Sequence, residues 1–300
     1  MGLECCKSIL QAHQRQLTIV GMKKTTPSHI AHHYFKRLYK EQEKVKKGFK
    51  PDAIHDFRVA YKKLRAFLRM EAMMVAETSQ VKFPHSFKNV YLAAGQIRDR
   101  QLFIGRIGPN KRSGNQAARK IHSLEKEIEE RKNNNDLFLS RKDFDEMENN
   151  ITMHLPLLAR TALIKDFVQQ KLDTVKKISA KKEYRDKELH SVRKCLKDII
   201  YVAAIFREDL RSRVPFTGLY RSDYKKAEQL ADALGSFNDI TIALSFVSPS
   251  EIRKADPGER QYLQSVRRQL LMEKRRLKKT VLRKLSEFKP SSDQAERSRP

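Results

Sequence analysis

The sequence predicts an all-α protein built on a duplicated helical unit. Only ten Gly and ten Pro punctuate 300 residues, and the stretches between them are rich in Leu, Ala, Lys, Glu and Arg. No segment sustains the apolar–polar alternation of a half-buried strand. A helical pattern near residue 55 recurs 135 positions further on with its apolar face intact.

Helices are expected over 27–47, 51–77, 85–107, 115–134, 140–152, 156–180, 184–211, 221–247 and 257–288. Gly48 is placed to terminate the first. Pro51 opens the second at a position where its missing N–H costs nothing, and Asp52 adds a favourable first-turn acid. The third and fourth are parted between Gly105 and Gly114, and the fourth ends at Asn133-Asn134-Asn135. The last two are separated over Ser248 to Pro257. The tail after Pro290, SSDQAERSRP, has almost nothing to bury and reads as disordered.

The repeat aligns His55-Asp56-Phe57-Arg58-Val59-Ala60-Tyr61-Lys62 with His190-Ser191-Val192-Arg193-Lys194-Cys195-Leu196-Lys197, a shared H-x-x-R-x-x-x-K. At about 100° per residue, Phe57, Ala60, Tyr61, Leu64, Phe67 and Leu68 share one face. Their counterparts Val192, Cys195, Leu196, Ile199, Val202 and Ala203 are apolar at every position. His55, Arg58, Lys62, Arg65 and Arg69 fall on the opposite face of the first helix, a cationic stripe about 20 Å long. The second helix carries His190, Arg193 and Lys197 in register. It then has Ile200 and Ala204 in place of Arg65 and Arg69, with Arg207 and Arg211 resuming beyond. A further pair follows: Ala94-Gly95-Gln96-Ile97-Arg98-Asp99 matches Leu234-Gly235-Ser236-Phe237-Asn238-Asp239. Gly95 and Gly235, inside helical patterns, point to close helix packing.

Lys and Arg number 63 against 36 Asp and Glu, a net charge of +27 that attracts polyanions. No stretch approaches the roughly 20 apolar residues of a membrane span, and no secretory signal is evident at the start. The chain therefore reads as soluble and intracellular, with no membrane partner. Gly2 lacks the Ser or Thr at position 6 that myristoylation favours, which is Cys6 here. Cys5, Cys6 and Cys195 form neither a disulfide framework nor a zinc spacing, and Cys195 reads as a small core hydrophobe. Without CxxC or HExxH, neither metal nor cofactor is expected.

The four repeated segments, in their order and spacing, resemble the CHAD family, the conserved histidine α-helical domain, with its HxxRVxxRRLR and LGxxRDxxV patterns, each occurring twice. The resemblance extends over about Ser28 to Phe288. It implies two related four-helix bundles with pseudo-twofold symmetry around a basic central cavity. On that reading an N-terminal extension covers 1–26, the first bundle 27–153, the second 154–289 and the tail 290–300. The resemblance also implies binding of inorganic polyphosphate, in the cytoplasm and at polyphosphate granules. Carried over by position, it nominates His55, Arg58, Lys62, Lys63 and Arg65, then His190, Arg193, Lys194 and Lys197. The stripes add Arg69 and Arg207. Asp99 and Asp239 match the family's acidic position, and their expected role is structural, as buried acids paired with Arg or His. Lys62-Lys63 stands where the family has an Arg pair, and Ile200 where a basic residue is common. Ala94 stands where the family has Leu, and Gln101 and Thr241 where it often has an acid. The expected site is therefore weighted toward the first half.

Polyphosphate offers no base to read, so recognition must come from spaced cations and donors, with affinity falling steeply in salt. His55 and His190 lie near helix starts, where neighbouring cations lower their pKa and a bound phosphate raises it. They are the groups expected to protonate on binding. Non-specific nucleic-acid binding is the rival reading, driven by the same charge. No reader motif supports it, and Phe57, Tyr61, Phe67 and Phe206 fall on core faces rather than stacking surfaces. A scaffold that recruits an acidic protein remains a third reading. A phosphohydrolase is disfavoured: His55-Asp56 resembles an HD pair only superficially, Asp56 points about 100° away on the wheel, and the second copy has Ser191. The chain is not expected to be an enzyme.

Overall fold

The computed structural model describes residues 26–75, 81–108, 117–133, 138–157, 161–206 and 221–288. These residues form α1 (Pro27–Lys46), α2 (Pro51–Glu71), α3 (His85–Ile107), α4 (Ala118–Lys132) and α5 (Arg141–Thr152). They continue with α6 (Thr161–Ser179), α7 (Asp186–Ala204), α8 (Arg221–Ser245), α9 (Pro249–Lys254) and α10 (Pro257–Glu287). All but Thr26 of the expected extension 1–26, the whole expected tail 290–300 and the site residue Arg207 lie outside the described residues, as does Arg211.

Local chemistry fixes most boundaries. The Thr26 side chain accepts from the His29 N–H at 3.2 Å, with Pro27 in the first turn. Ser140 and Asp143 form a reciprocal capping box at the start of α5. Two expectations are corrected. The helix expected to reach 77 ends at Glu71 and passes into a 3-10 turn, Ala72–Met74. The gap between Ser248 and Pro257 holds the short α9, opened by the Ser248 side chain on the Glu251 N–H. After α1 the left-handed residue is Phe49, φ 53°, beside Gly48 at φ 154°. Burial against Phe138, ring centroids 5.5 Å apart, and a bond from Gln101 Nε2 to the Phe49 carbonyl (2.9 Å) offset that backbone cost.

The same helix pairings occur in both repeats. α1 packs on α2 as α6 packs on α7, and α2 on α3 as α7 on α8. The repeated helices also meet each other, α2 against α7 and α3 against α8. Every matched apolar position is buried, from Phe57 and Tyr61 to Val192 and Leu196. Burying side chains of this size contributes about 1.5–3 kcal/mol each. The main apolar cluster takes residues from both repeats. So does a second cluster, which joins Phe103, Ile107 and Leu124 to Ile240, Leu263 and Leu270. The two repeats are thus bonded through a shared core.

The expectation that nothing approaches a membrane span needs correction as well. A window within Asp223–Lys254, mostly α8, reaches a mean hydropathy of 1.2, long and apolar enough by composition alone. The apolar residues have protein partners: α8 packs on α7, α10 and α3, and buries Leu230, Leu234, Phe237 and Ile240.

Candidate functional site

Because α2 and α7 pack together, the cationic face of α2 looks toward the other repeat. Lys62 is half-buried there. Burial, followed by the charges of Arg58, Arg193, Lys197 and Arg65, brings its ammonium down to about 7. Two of those cations come from each repeat. No carboxylate lies within 4 Å of Lys62 among the described residues. Lys197 does have an acid, Asp232 at 3.1 Å, but that carboxylate is 74% exposed on α8. Arg193 stands out: its Nε is buried and has no hydrogen-bond partner among the described residues.

The first repeat holds its arginines more firmly. Arg58 Nη1 donates to the Tyr91 carbonyl at 3.2 Å, and the guanidinium lies 4.5 Å over the Tyr91 ring. Tyr91 stacks on Tyr61, centroids 4.4 Å apart, and Arg65 lies 5.6 Å and 5.9 Å over the two rings. Gly95 makes room for this arrangement: a Cβ there would fall into the Arg58 guanidinium, 2.7 Å from Cζ. The close approach expected of Gly95 is therefore to a side chain of α2. At Gly235 the corresponding Cβ would sit 3.9 Å from Arg193 Nε, an ordinary contact.

His55 and His190 are exposed at the starts of α2 and α7. The His55 pKa is lowered by partial burial first and then by Arg98, with Lys62 assisting and Asp56 and Asp52 opposing. For His190 burial is again the largest cause, Lys194 and Arg193 add to it, and a bond from the imidazole to the Asn238 side chain opposes it. Arg98 and Asn238 occupy matching positions, so each histidine meets the residue before the repeated Asp. Arg98 Nη1 also donates to the Pro51 carbonyl.

Other expected site residues are placed differently. Arg69 is committed to Asp198, Nη1 to Oδ2 at 3.1 Å, and Lys171 of α6 lies 3.6 Å from the same carboxylate. The Arg69 side chain stays 42% exposed, but its charge is answered by that carboxylate, which sets it apart from the cations between α2 and α7. Asp99 and Asp239 are not buried, paired acids. Asp99 is half-buried and Asp239 exposed, and neither has an ion pair within 4 Å among the described residues. They face each other across α3 and α8 in a cleft with Phe103 and Arg106. Burial pushes the Asp99 carboxyl up, Arg58 opposes and Asp239 adds to the rise. Lys63 is half-buried, Lys194 exposed. Among the described residues no group of three His, Cys, Asp or Glu could hold a metal.

Sequence reasoning missed Tyr91, Arg98, Lys171, Asp198 and Tyr201. Tyr201, whose phenol burial pushes up to about 12, feels Arg193, Tyr91, Asp198 and Arg65 together and so marks the centre of the interface. Tyr91 and Arg98 were in reach, one turn before and after Gly95. Asp198 and Lys171 required knowledge of the α2–α7–α6 packing.

This arrangement defines an all-helical domain of paired repeats whose basic helix faces meet between the repeats. The family model described as the CHAD domain matches residues 29–248, and the chain belongs to that family. Its fold is similar to the crystal structure of the CHAD domain from the plant Ricinus communis, with a TM-score of 0.64 and 18% identity over 88% of this chain and 92% of that one. No curated protein matches the sequence. α10 lies beyond the family match yet packs along α8.

Proposed function

We propose that this chain binds inorganic polyphosphate between α2 and α7, through Arg58, Lys62, Arg65, Arg193 and Lys197, as a binding domain without catalytic turnover. The carrying observation is the buried Arg193 Nε with no acceptor, set beside a lysine that four other cations surround. A protein does not gather such charge for stability, since like charges in a partly desolvated place repel. A bridging anion would supply the missing acceptor and relieve the repulsion. A linear polymer with a charge on every phosphate fits better than a single phosphate, because the cations extend along two helices. The resemblance to the CHAD family supports the same ligand, and with it a cytoplasmic location at polyphosphate granules.

The test is a titration with phosphate chains of defined length, comparing the wild type with Arg58→Ala plus Arg193→Ala. Affinity should rise with chain length until the cluster is spanned and fall by at least about tenfold in the double variant. Unchanged affinity would overturn the site. The net charge of +27 favours duplex DNA as a rival ligand. Long polyphosphate should displace DNA at about 150 mM salt, and the reverse outcome would favour the nucleic-acid reading. Incubation with Mg²⁺ should release no phosphate from the polymer.

A further inference from the structure

Two of the five clustered groups are ammoniums, Lys62 and Lys197, and of these Lys197 has an acid beside it, Asp232 of α8 at 3.1 Å. Lys62 has Arg58 and Arg65 one turn to either side on α2, and Arg193 and Lys197 facing it from α7. From α3 come Asp99, half-buried and too far for an ion pair, and the Tyr91 ring that holds the two α2 guanidiniums. Lys171, the charge that α6 brings to this interface, is engaged with Asp198 two turns along. Guanidiniums keep their proton under any such pressure, whereas an ammonium can release it. The Asp232 carboxylate favours the charged form of Lys197, so within the cluster Lys62, with no carboxylate within 4 Å among the described residues, is the ammonium left to lower the repulsion by becoming neutral.

We propose that Lys62 takes up a proton when polyphosphate binds, so that binding above neutral pH is coupled to protonation at this residue. This rests on the polyphosphate reading above. An anion placed among the five groups reverses the local potential and makes the ammonium the favoured form. It thereby replaces the two exposed histidines as the main proton-coupled group. The pH windows separate the two assignments. Lys62 at about 7 without ligand and higher with it couples above pH 7. The histidines, lowered from 6.5, couple mainly below that value.

The experiment is calorimetry with long polyphosphate, whose terminal phosphates are few, at fixed salt and about pH 8 in buffers of different ionisation enthalpy. The wild type should take up about one proton, and its affinity should fall up to about tenfold per pH unit between 7.5 and 8.5. In Lys62→Arg, where the charge is permanent, uptake and slope should both vanish, whatever the absolute affinity. In Lys62→Met the deficit relative to wild type should shrink from pH 7 to 9. Binding by the wild type without uptake, uptake that persists in Lys62→Arg, or a constant Lys62→Met deficit each overturns the inference while leaving polyphosphate binding intact. Absence of any binding would overturn the underlying function as well.

Discussion

The sharpest asymmetry at the level of single residues is between the two repeated glycines. At Gly95 an alanine methyl would displace the Arg58 guanidinium from the Tyr91 ring, so Gly95→Ala should weaken polyphosphate binding and, with the loss of that contact set against a helix-propensity gain of about 1 kcal/mol, be less stable in urea denaturation than Gly235→Ala. Gly235→Ala meets only a van der Waals neighbour and removes a helix-interior glycine. It should be neutral or stabilising by up to about 1 kcal/mol. The motif pointed to close packing at both glycines; the neighbour that distinguishes the two copies was invisible. Glu71 gives a second residue-level prediction. It is 0% exposed, neither carboxylate oxygen has a hydrogen-bond partner among the described residues, and burial raises its pKa to about 7. The folded state therefore binds this proton more tightly than the unfolded chain. The full stability is present below the unfolded value near 4.5 and is lost as pH rises through about 7. Glu71→Gln should remove that loss, gaining roughly 3 kcal/mol on wild type between pH 4.5 and 8 in paired denaturation curves.

Taken as elements, α2 and α7 show how far a helical wheel reaches. All twelve apolar positions matched between them are buried, because an apolar face has one place to go. The polar faces were less readable, since their fate depends on the neighbouring helix. Arg69, one member of the predicted stripe, turns to Asp198, while Arg193 on α7 is left without an acceptor for its Nε. Ile200, which interrupts the stripe of α7, is buried in the shared core. Asp198 links α2, α7 and α6 without touching the open cluster. Asp198→Ala should therefore destabilise by about 1–3 kcal/mol, discounted for the partly exposed Arg69, without weakening polyphosphate binding. Weakened binding at equal stability would place Asp198 in the site instead.

Across the whole molecule, duplication sets opposed cationic faces between the repeats and joins them through apolar clusters to which both contribute. The proposed binding surface and the association of the repeats therefore share the α2–α7 interface. Charge at this scale should make affinity strongly salt-dependent. With about five cations engaged, log affinity should fall with log salt at a slope near −3 to −5, and the Arg58→Ala plus Arg193→Ala variant should lower that slope by about 1–2. Measured slopes that coincide would place the contacts elsewhere on the surface, for instance along the basic α10.

The sequence by itself determined the helical class, most helix ends, the duplication and the identity of the core face. Each follows from local periodicity, caps and composition, which act within a few turns of one helix. Tertiary structure decided which cations are answered and which are left to meet one another. It set Lys62 among four positive charges, committed Arg69 to Asp198, left Asp99 and Asp239 without ion pairs among the described residues and brought the Arg58 guanidinium onto Gly95. Those outcomes depend on distances between helices far apart in the chain, and Coulomb energies and burial follow such distances rather than sequence spacing.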